Sequence, residues 1–133
     1  SDAKYELYNS WYGKNDETSS VVQDLGISAN DYLKFKTADL TSDKNKNGYA
    51  IRGSKANKIT KYLNKTDLDT GQKAILYRLA FSYKGSYSSS KYSNAYNQEI
   101  VNYINNSNLT YDESENALKK LGFKVSKDGT IKW

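Results

Sequence analysis

The sequence predicts an all-α domain, a helical bundle of about five helices built on a duplicated helix–turn–helix unit, with a small C-terminal β-hairpin. Three observations carry this. First, the chain repeats itself: Lys58–Gln72 reads KITKYLNKTDLDTGQ and Glu99–Glu113 reads EIVNYINNSNLTYDE. Ile59, Tyr62, Asn64 and Leu68 recur as Ile100, Tyr103, Asn105 and Leu109, and Leu63 recurs as Ile104. Second, apolar residues elsewhere return at helical spacing behind Ser, Asp and Thr, the residues that cap helix N-termini. Third, the closing segment FKVSKDGTIKW changes to period two, with Asp128-Gly129 where a hairpin turn belongs. The chain has no proline, which fits a mostly helical fold.

Each element follows from local signals. Residues 1–20 are read as an N-terminal arm or a short helix, because Leu7 and Trp11, and Tyr8 and Tyr12, lie four apart before the polar break GKNDETSS. The domain proper is expected over 21–133. A short helix at Val21–Leu25 precedes Gly26, and Ser28 caps a helix carrying Tyr32, Phe35, Ala38 and Leu40 that ends near Thr41. After the loop SDKNKNGYAIRGS, Ser54 is expected to cap a helix over Lys55–Asn64 that buries Ile59, Tyr62 and Leu63. Asp69 and Gln72 form a capping box ahead of Ala74, Ile75, Leu76, Leu79 and Ala80, whose apolar width marks the central helix.

Residues 82–94, SYKGSYSSSKYSN, are a low-complexity connector. Ala95–Asn105 then points Ile100, Tyr103 and Ile104 inward. Thr110 with Glu113 caps a last helix that buries Ala117, Leu118 and Leu121 and stops at Gly122. The repeat units span about 55–81 and 96–123, and the hairpin 123–133.

Composition narrows the chemistry. Within 133 residues there is no Cys and no His, so disulfides, Cys/His zinc sites and His-based triads are excluded. A carboxylate-only enzyme remains possible. Mean hydropathy is −0.88, yet 14% of residues are aromatic, enough for thirteen tyrosines to supply buried area that Leu and Val do not. The net charge of +5 is spread along the chain rather than concentrated. No apolar run approaches the roughly 18 residues of a membrane span. The chain opens on Ser-Asp-Ala without Met, the reading expected of a fragment or a processed product.

Three segments are candidates for function. Asp43, Asn45 and Asn47, followed by Gly48, match the first half of an EF-hand loop, where alternate oxygens face one cation. The twelfth loop position is Ser54 rather than Glu, and the same pattern makes an Asn/Asp/Gly turn that satisfies its own backbone. A basic run, Lys44, Lys46, Arg52, Lys55, Lys58, Lys61 and Lys65, has Asp43 as its only acid. Lys58, Lys61 and Lys65 share a helix flank, as a phosphate-contacting stripe would and as any solvated flank does; Lys55, Lys58, Lys61 and Lys65 are the candidate contacts to nucleic acid or a partner. Tyr83, Tyr87, Tyr92 and Tyr96 form a Tyr/Ser stretch suited to adaptable partner contact, or to a plain connector. The acidic pairs at helix starts, Asp67/Asp69 and Asp112/Glu113/Glu115, are explained by capping and the helix dipole, so no catalytic residue is assigned.

The segments GSKANKITKYLN, LDTGQKAILYRLAF, YNQEIVNYIN, LTYDESENALKKLGF and the closing hairpin ending in Trp133 together resemble a C-terminal helical domain of large virion proteins, tail tape-measure and related structural proteins, in phages of Gram-positive bacteria. The resemblance covers roughly residues 27–133 and lies mostly in core and cap positions. It implies a non-catalytic structural or interaction module of a phage virion, tail or internal. The expected partners are other virion proteins or the genome, with no cofactor, and the location is the particle after production in the bacterial cytoplasm. The alternative is a small basic nucleic-acid-binding domain.

Overall fold

The computed structural model describes residues 17–81 and 92–133. Among these lie six α-helices: α1 Glu17–Asp24, α2 Ala29–Thr37, α3 Ser54–Leu63, α4 Thr70–Leu79, α5 Ser93–Asn105 and α6 Tyr111–Lys120. Two short strands follow, β1 Lys124–Val125 and β2 Ile131–Lys132. They pair antiparallel, Lys124 opposite Lys132 and Val125 opposite Ile131. The expected all-α bundle with a terminal hairpin is the observed fold.

The helix boundaries follow the caps. Ser28 Oγ accepts the Asp31 amide at 3.0 Å, starting α2 as expected. That helix stops at Thr37 rather than near Thr41. Thr37 Oγ1 turns back onto the Leu33 carbonyl at 2.9 Å, and Ala38 is extended at φ −71°, ψ 144°. At the other end, α1 starts at Glu17, inside the stretch read as a polar break. Both α1 and α6 close in a Schellman motif. Ile27 N donates to Val22 O and Gly26 N to Gln23 O; Phe123 N donates to Leu118 O and Gly122 N to Lys119 O. Gly26 at φ +80° and Gly122 at φ +92° supply the left-handed residue that each motif requires.

One core unites the elements. Val22, Ile27, Tyr32, Ile59, Leu63, Ile75, Leu76, Tyr77, Ile100 and Ile104 have almost no solvent exposure. α4 is central, since it packs against α3 and most extensively against α5, and its run Ala74–Tyr77 is wholly buried. Tyr77 was not among the expected core residues. It sits on the side of α4 that faces α5, where its ring meets Tyr96 with centroids 4.7 Å apart.

The repeat is reproduced in the connections bond for bond. In the first unit Thr66 Oγ1 donates to Leu63 O at 2.6 Å and accepts the Leu68 amide at 3.4 Å; in the second Ser107 Oγ donates to Ile104 O at 2.6 Å and accepts the Leu109 amide at 3.3 Å. Each helix that follows starts in a capping box: Gln72 Oε1 accepts the Asp69 amide at 3.1 Å, and Glu113 Oε1 accepts the Thr110 amide at 2.9 Å. Thr66/Ser107, Asp69/Thr110 and Gln72/Glu113 differ in identity but match in the atoms that matter. Ile59 and Ile100, and Leu63 and Ile104, occupy equivalent buried positions.

The units differ at one capping residue. Gln72 carries an amide nitrogen where Glu113 carries a second oxygen. Gln72 Nε2 donates to Leu25 O at 3.3 Å and to Tyr103 Oη at 3.0 Å, and Tyr103 Oη donates to the same Leu25 carbonyl at 2.6 Å. A single carbonyl at the end of α1 is thereby tied to α4 and α5. The approach needs Gly71, because a Cβ there would lie 2.4 Å from Tyr103 Cβ.

Candidate functional site

The loop between α2 and α3, residues 38–53, is the longest irregular segment among the described residues. Its base is closed by Asp43. Asp43 N donates to Ser54 Oγ at 2.9 Å, Ser54 Oγ donates to Asp43 Oδ2 at 3.0 Å, and Lys58 Nζ pairs with Asp43 Oδ1 at 2.7 Å. The Lys58 ammonium and then the Ser54 hydroxyl hold the Asp43 carboxyl below its ordinary range, and Asp43 in turn raises Lys58. Ser54 is therefore not the expected N-cap. Its hydroxyl is committed to Asp43, and Gly53 at φ +78° occupies the cap position, which starts α3 at Ser54 rather than Lys55.

Beyond Asp43 the chain doubles back as a small hairpin. Lys44 bridges Ala50, Asn45 N donates to Tyr49 O at 2.9 Å, and Ile51 N donates to Asp43 O at 2.8 Å. Asn45 Oδ1 accepts the amides of Asn47 and Tyr49 at 2.9 and 3.1 Å. In this state both Asp43 oxygens and the Asn45 oxygen are occupied by donors of the chain itself. No group of three or more carboxylates placed to hold a metal ion occurs among the described residues.

The hairpin exposes Tyr49 (72%) beside its turn and Ile51 (48%) at its base, opposite Asp43. Lys44, Lys46 and Arg52 in the same loop are also exposed, and the pairing places Lys44 beside Ala50, on the ribbon face away from Tyr49 and Ile51.

The four lysines of the basic stripe meet different fates. Lys55 Nζ lies 5.0 Å from the centre of the Phe81 ring, and Lys58 belongs to Asp43. Lys61 is exposed. Lys65 lines a cleft of about 400 Å³ together with Lys34, Asp31 and Asp67. A second cleft, about 470 Å³, runs between α2 and α3 over Phe35, Leu40, Ile59 and Leu79.

Tyr92 and Tyr96 turn inward. Tyr77, Phe81, Tyr92 and Tyr96 form a continuous aromatic cluster, with Tyr77–Phe81 at 5.0 Å and Tyr92–Tyr96 at 6.0 Å. Tyr92 Oη also donates to Asn57 Oδ1 at 3.3 Å, linking α5 to α3. Both rings are half-buried packing residues. Tyr83 and Tyr87 lie outside the described residues.

Arg78 was not anticipated by sequence reasoning. Its guanidinium donates to Leu121 O and Asn97 Oδ1 and lies 3.9 Å over the Phe123 ring. It joins α4, α5 and the end of α6. The partners stand 19 and 43 residues away, so no local pattern could have announced it.

Comparison with protein-family models, with curated proteins and with solved structures finds no match to this chain.

Proposed function

We propose that this domain is a non-catalytic interaction module of a phage virion protein, working through an aromatic and basic surface. The observation that carries the reading is the use made of the polar side chains. Asp43, Asn45, Ser54, Gln72, Thr110, Glu113 and Asp128 all spend their oxygens or nitrogens on the chain's own loops and helix ends. What is left over is exposed surface: among the described residues Tyr49, Ile51, Tyr111 and Trp133 are the large exposed hydrophobic residues. Such a scaffold offers contact area rather than a reactive group.

The resemblance in core and cap positions supplies the virion context, and no helix among the described residues is long and apolar enough to cross a membrane. A separate regulator that reads nucleic acid through the α3 lysines has less support, because Lys55 and Lys58 are engaged. The test is the complete open reading frame that carries this domain, read with its neighbouring genes. Flanking capsid and tail genes are expected. A setting remote from virion genes overturns the proposal.

A further inference from the structure

We propose that the cleft between α2 and α3 is a docking groove for an acidic, apolar segment of a partner polypeptide. A large apolar side chain of that segment enters over Leu40, Ile59 and Leu79, and carboxylates beside it meet Lys36 and Lys55. The inference rests on the interaction-module reading and gives that module a contact site and its partner a chemical class.

Three observations converge on the cleft. Its size fits: about 470 Å³, within the roughly 300–1,000 Å³ of ligand sites. It exists because the backbones of α2 and α3 scarcely approach each other. The two helices meet through Phe35 and Tyr62, ring centroids 6.0 Å apart, and the chain leaving α2 at Ala38 brings Leu40 into the lining. Its floor is apolar: Phe35 and Ile59 are buried, and Leu40 and Leu79 are half-buried.

Its charge is of one sign. Lys36 and Lys55 line the cleft, and no Asp or Glu does. The ion pairs among the described residues are Lys58–Asp43 and Lys119–Glu115, so neither lining lysine has an acid partner there. Asp39 lies outside the lining, with its carboxylate on the Thr41 hydroxyl at 2.8 Å. Each lining ammonium is held by a ring: Lys36 Nζ lies 5.7 Å from the centre of Tyr32, and Lys55 Nζ 5.0 Å from that of Phe81. A ring takes one side of an ammonium and leaves N–H donors for a carboxylate. The contact that takes Lys55 out of the α3 stripe thus fixes it at the cleft.

This combination selects the occupant. An apolar side chain flanked by carboxylates gains burial on the floor and charge complementarity at the lysines. The cleft is open rather than enclosed, so it admits side chains of a segment whose backbone stays outside. A free fatty acid needs enclosure to bury its chain. Nucleic acid would meet the cations and leave the aliphatic floor empty.

The test is fluorescence anisotropy of a labelled nonapeptide, a central Leu between glutamates, titrated with the domain at about 50 and about 500 mM NaCl. Saturable binding that weakens with salt is expected. Ser in place of the central Leu should weaken it roughly tenfold or more, the effect of losing one buried side chain. The domain variant K36E/K55E should reverse the preference, taking a peptide with lysines for glutamates over the original, a reversal that lost folding cannot produce. Lys61→Glu, exposed and outside the lining, should change affinity far less. In methyl NMR spectra the peptide should move the signals of Leu40, Ile59 and Leu79 and leave Val125 and Ile131 of the hairpin in place.

The proposal is overturned by absence of binding at the lower salt, by equal affinity for the serine or lysine peptide, or by a K36E/K55E domain that keeps the parental preference. Displacement of the peptide by equimolar decanoate or by a DNA oligonucleotide equally overturns it. If the peptides fail while the gene lies among virion genes, this assignment falls and the interaction-module reading stands on another surface.

Discussion

Gly71→Ala asks whether α4 and α5 meet as closely as described. On helix propensity alone the change should help, since Gly costs about 1 kcal/mol relative to Ala in a helix. The packing argues the opposite. The added methyl would stand 2.4, 2.5 and 2.6 Å from Tyr103 Cβ, Cγ and Cδ2. Ordinary carbon–carbon contact is roughly 3.5–4.0 Å, so the helices must part by about 1 Å or more. Overpacking of this kind costs about 1–3 kcal/mol.

Displacing Tyr103 also draws its hydroxyl from Leu25 O and from Gln72 Nε2, bonds worth about 0.5–1.5 kcal/mol each. Against a gain of about 1 kcal/mol, the net expectation is a loss of about 1–5 kcal/mol. Urea unfolding followed by far-UV circular dichroism should show a lower midpoint at unchanged slope. Tyr103→Phe, which removes only the hydroxyl, should cost about 1–3 kcal/mol with no steric clash and so separates bond from contact. A Gly71→Ala protein as stable as the parent, or more stable, would refute the close approach.

Four further outcomes are expected. Gln72→Glu keeps the capping acceptor but removes the donor to Leu25 O and Tyr103, so it should cost about 1–3 kcal/mol in urea titration, whereas the mirror change Glu113→Gln in the second unit should move the midpoint far less. Arg78→Met should lose about 2–4 kcal/mol and loosen the hairpin, read as faster amide exchange at Val125 and Ile131.

The third expectation concerns acid. The Thr110 amide and hydroxyl hold the Glu113 carboxyl below its usual range, and the Ser126 hydroxyl followed by the Thr130 amide brings Asp128 down to about 2. Folded-state values below the unfolded ones make these groups stabilising when ionised. That stabilisation is complete above the ordinary carboxylate range and is lost as pH falls through the folded values, between roughly pH 4.5 and 2. The double variant E113Q/D128N should therefore flatten the acid limb of a melting profile over that window. Fourth, millimolar calcium should leave the melting midpoint unchanged, because the Asp43 and Asn45 oxygens are already occupied; a rise would show the loop rearranging to bind the ion.

What the sequence revealed was local. The Ser28, Asp69/Gln72 and Thr110/Glu113 caps, the Gly122 stop and the Asp128-Gly129 turn each depend on partners within a few residues, and each was legible. Positions governed by distant partners were not. Ser54 resembles an N-cap until Asp43, eleven residues back, takes its hydroxyl. Arg78 reads as a surface cation until Leu121 O and Asn97 are brought beside it. Tyr92 and Tyr96 looked like contact residues in a Tyr/Ser stretch and instead pack on Tyr77, because the fold lays α5 against α4. The basic run was visible as composition; that Lys58 within it is spent on Asp43, fifteen residues back, was not.

The most direct measurement of the functional account is quantitative mass spectrometry of purified phage particles from cells that carry the gene. The tryptic peptides 66–73 and 74–78, TDLDTGQK and AILYR, mark this domain. Their recovery with the particles at a fixed ratio to the capsid protein is predicted. Recovery only from the particle-free lysate would contradict the account.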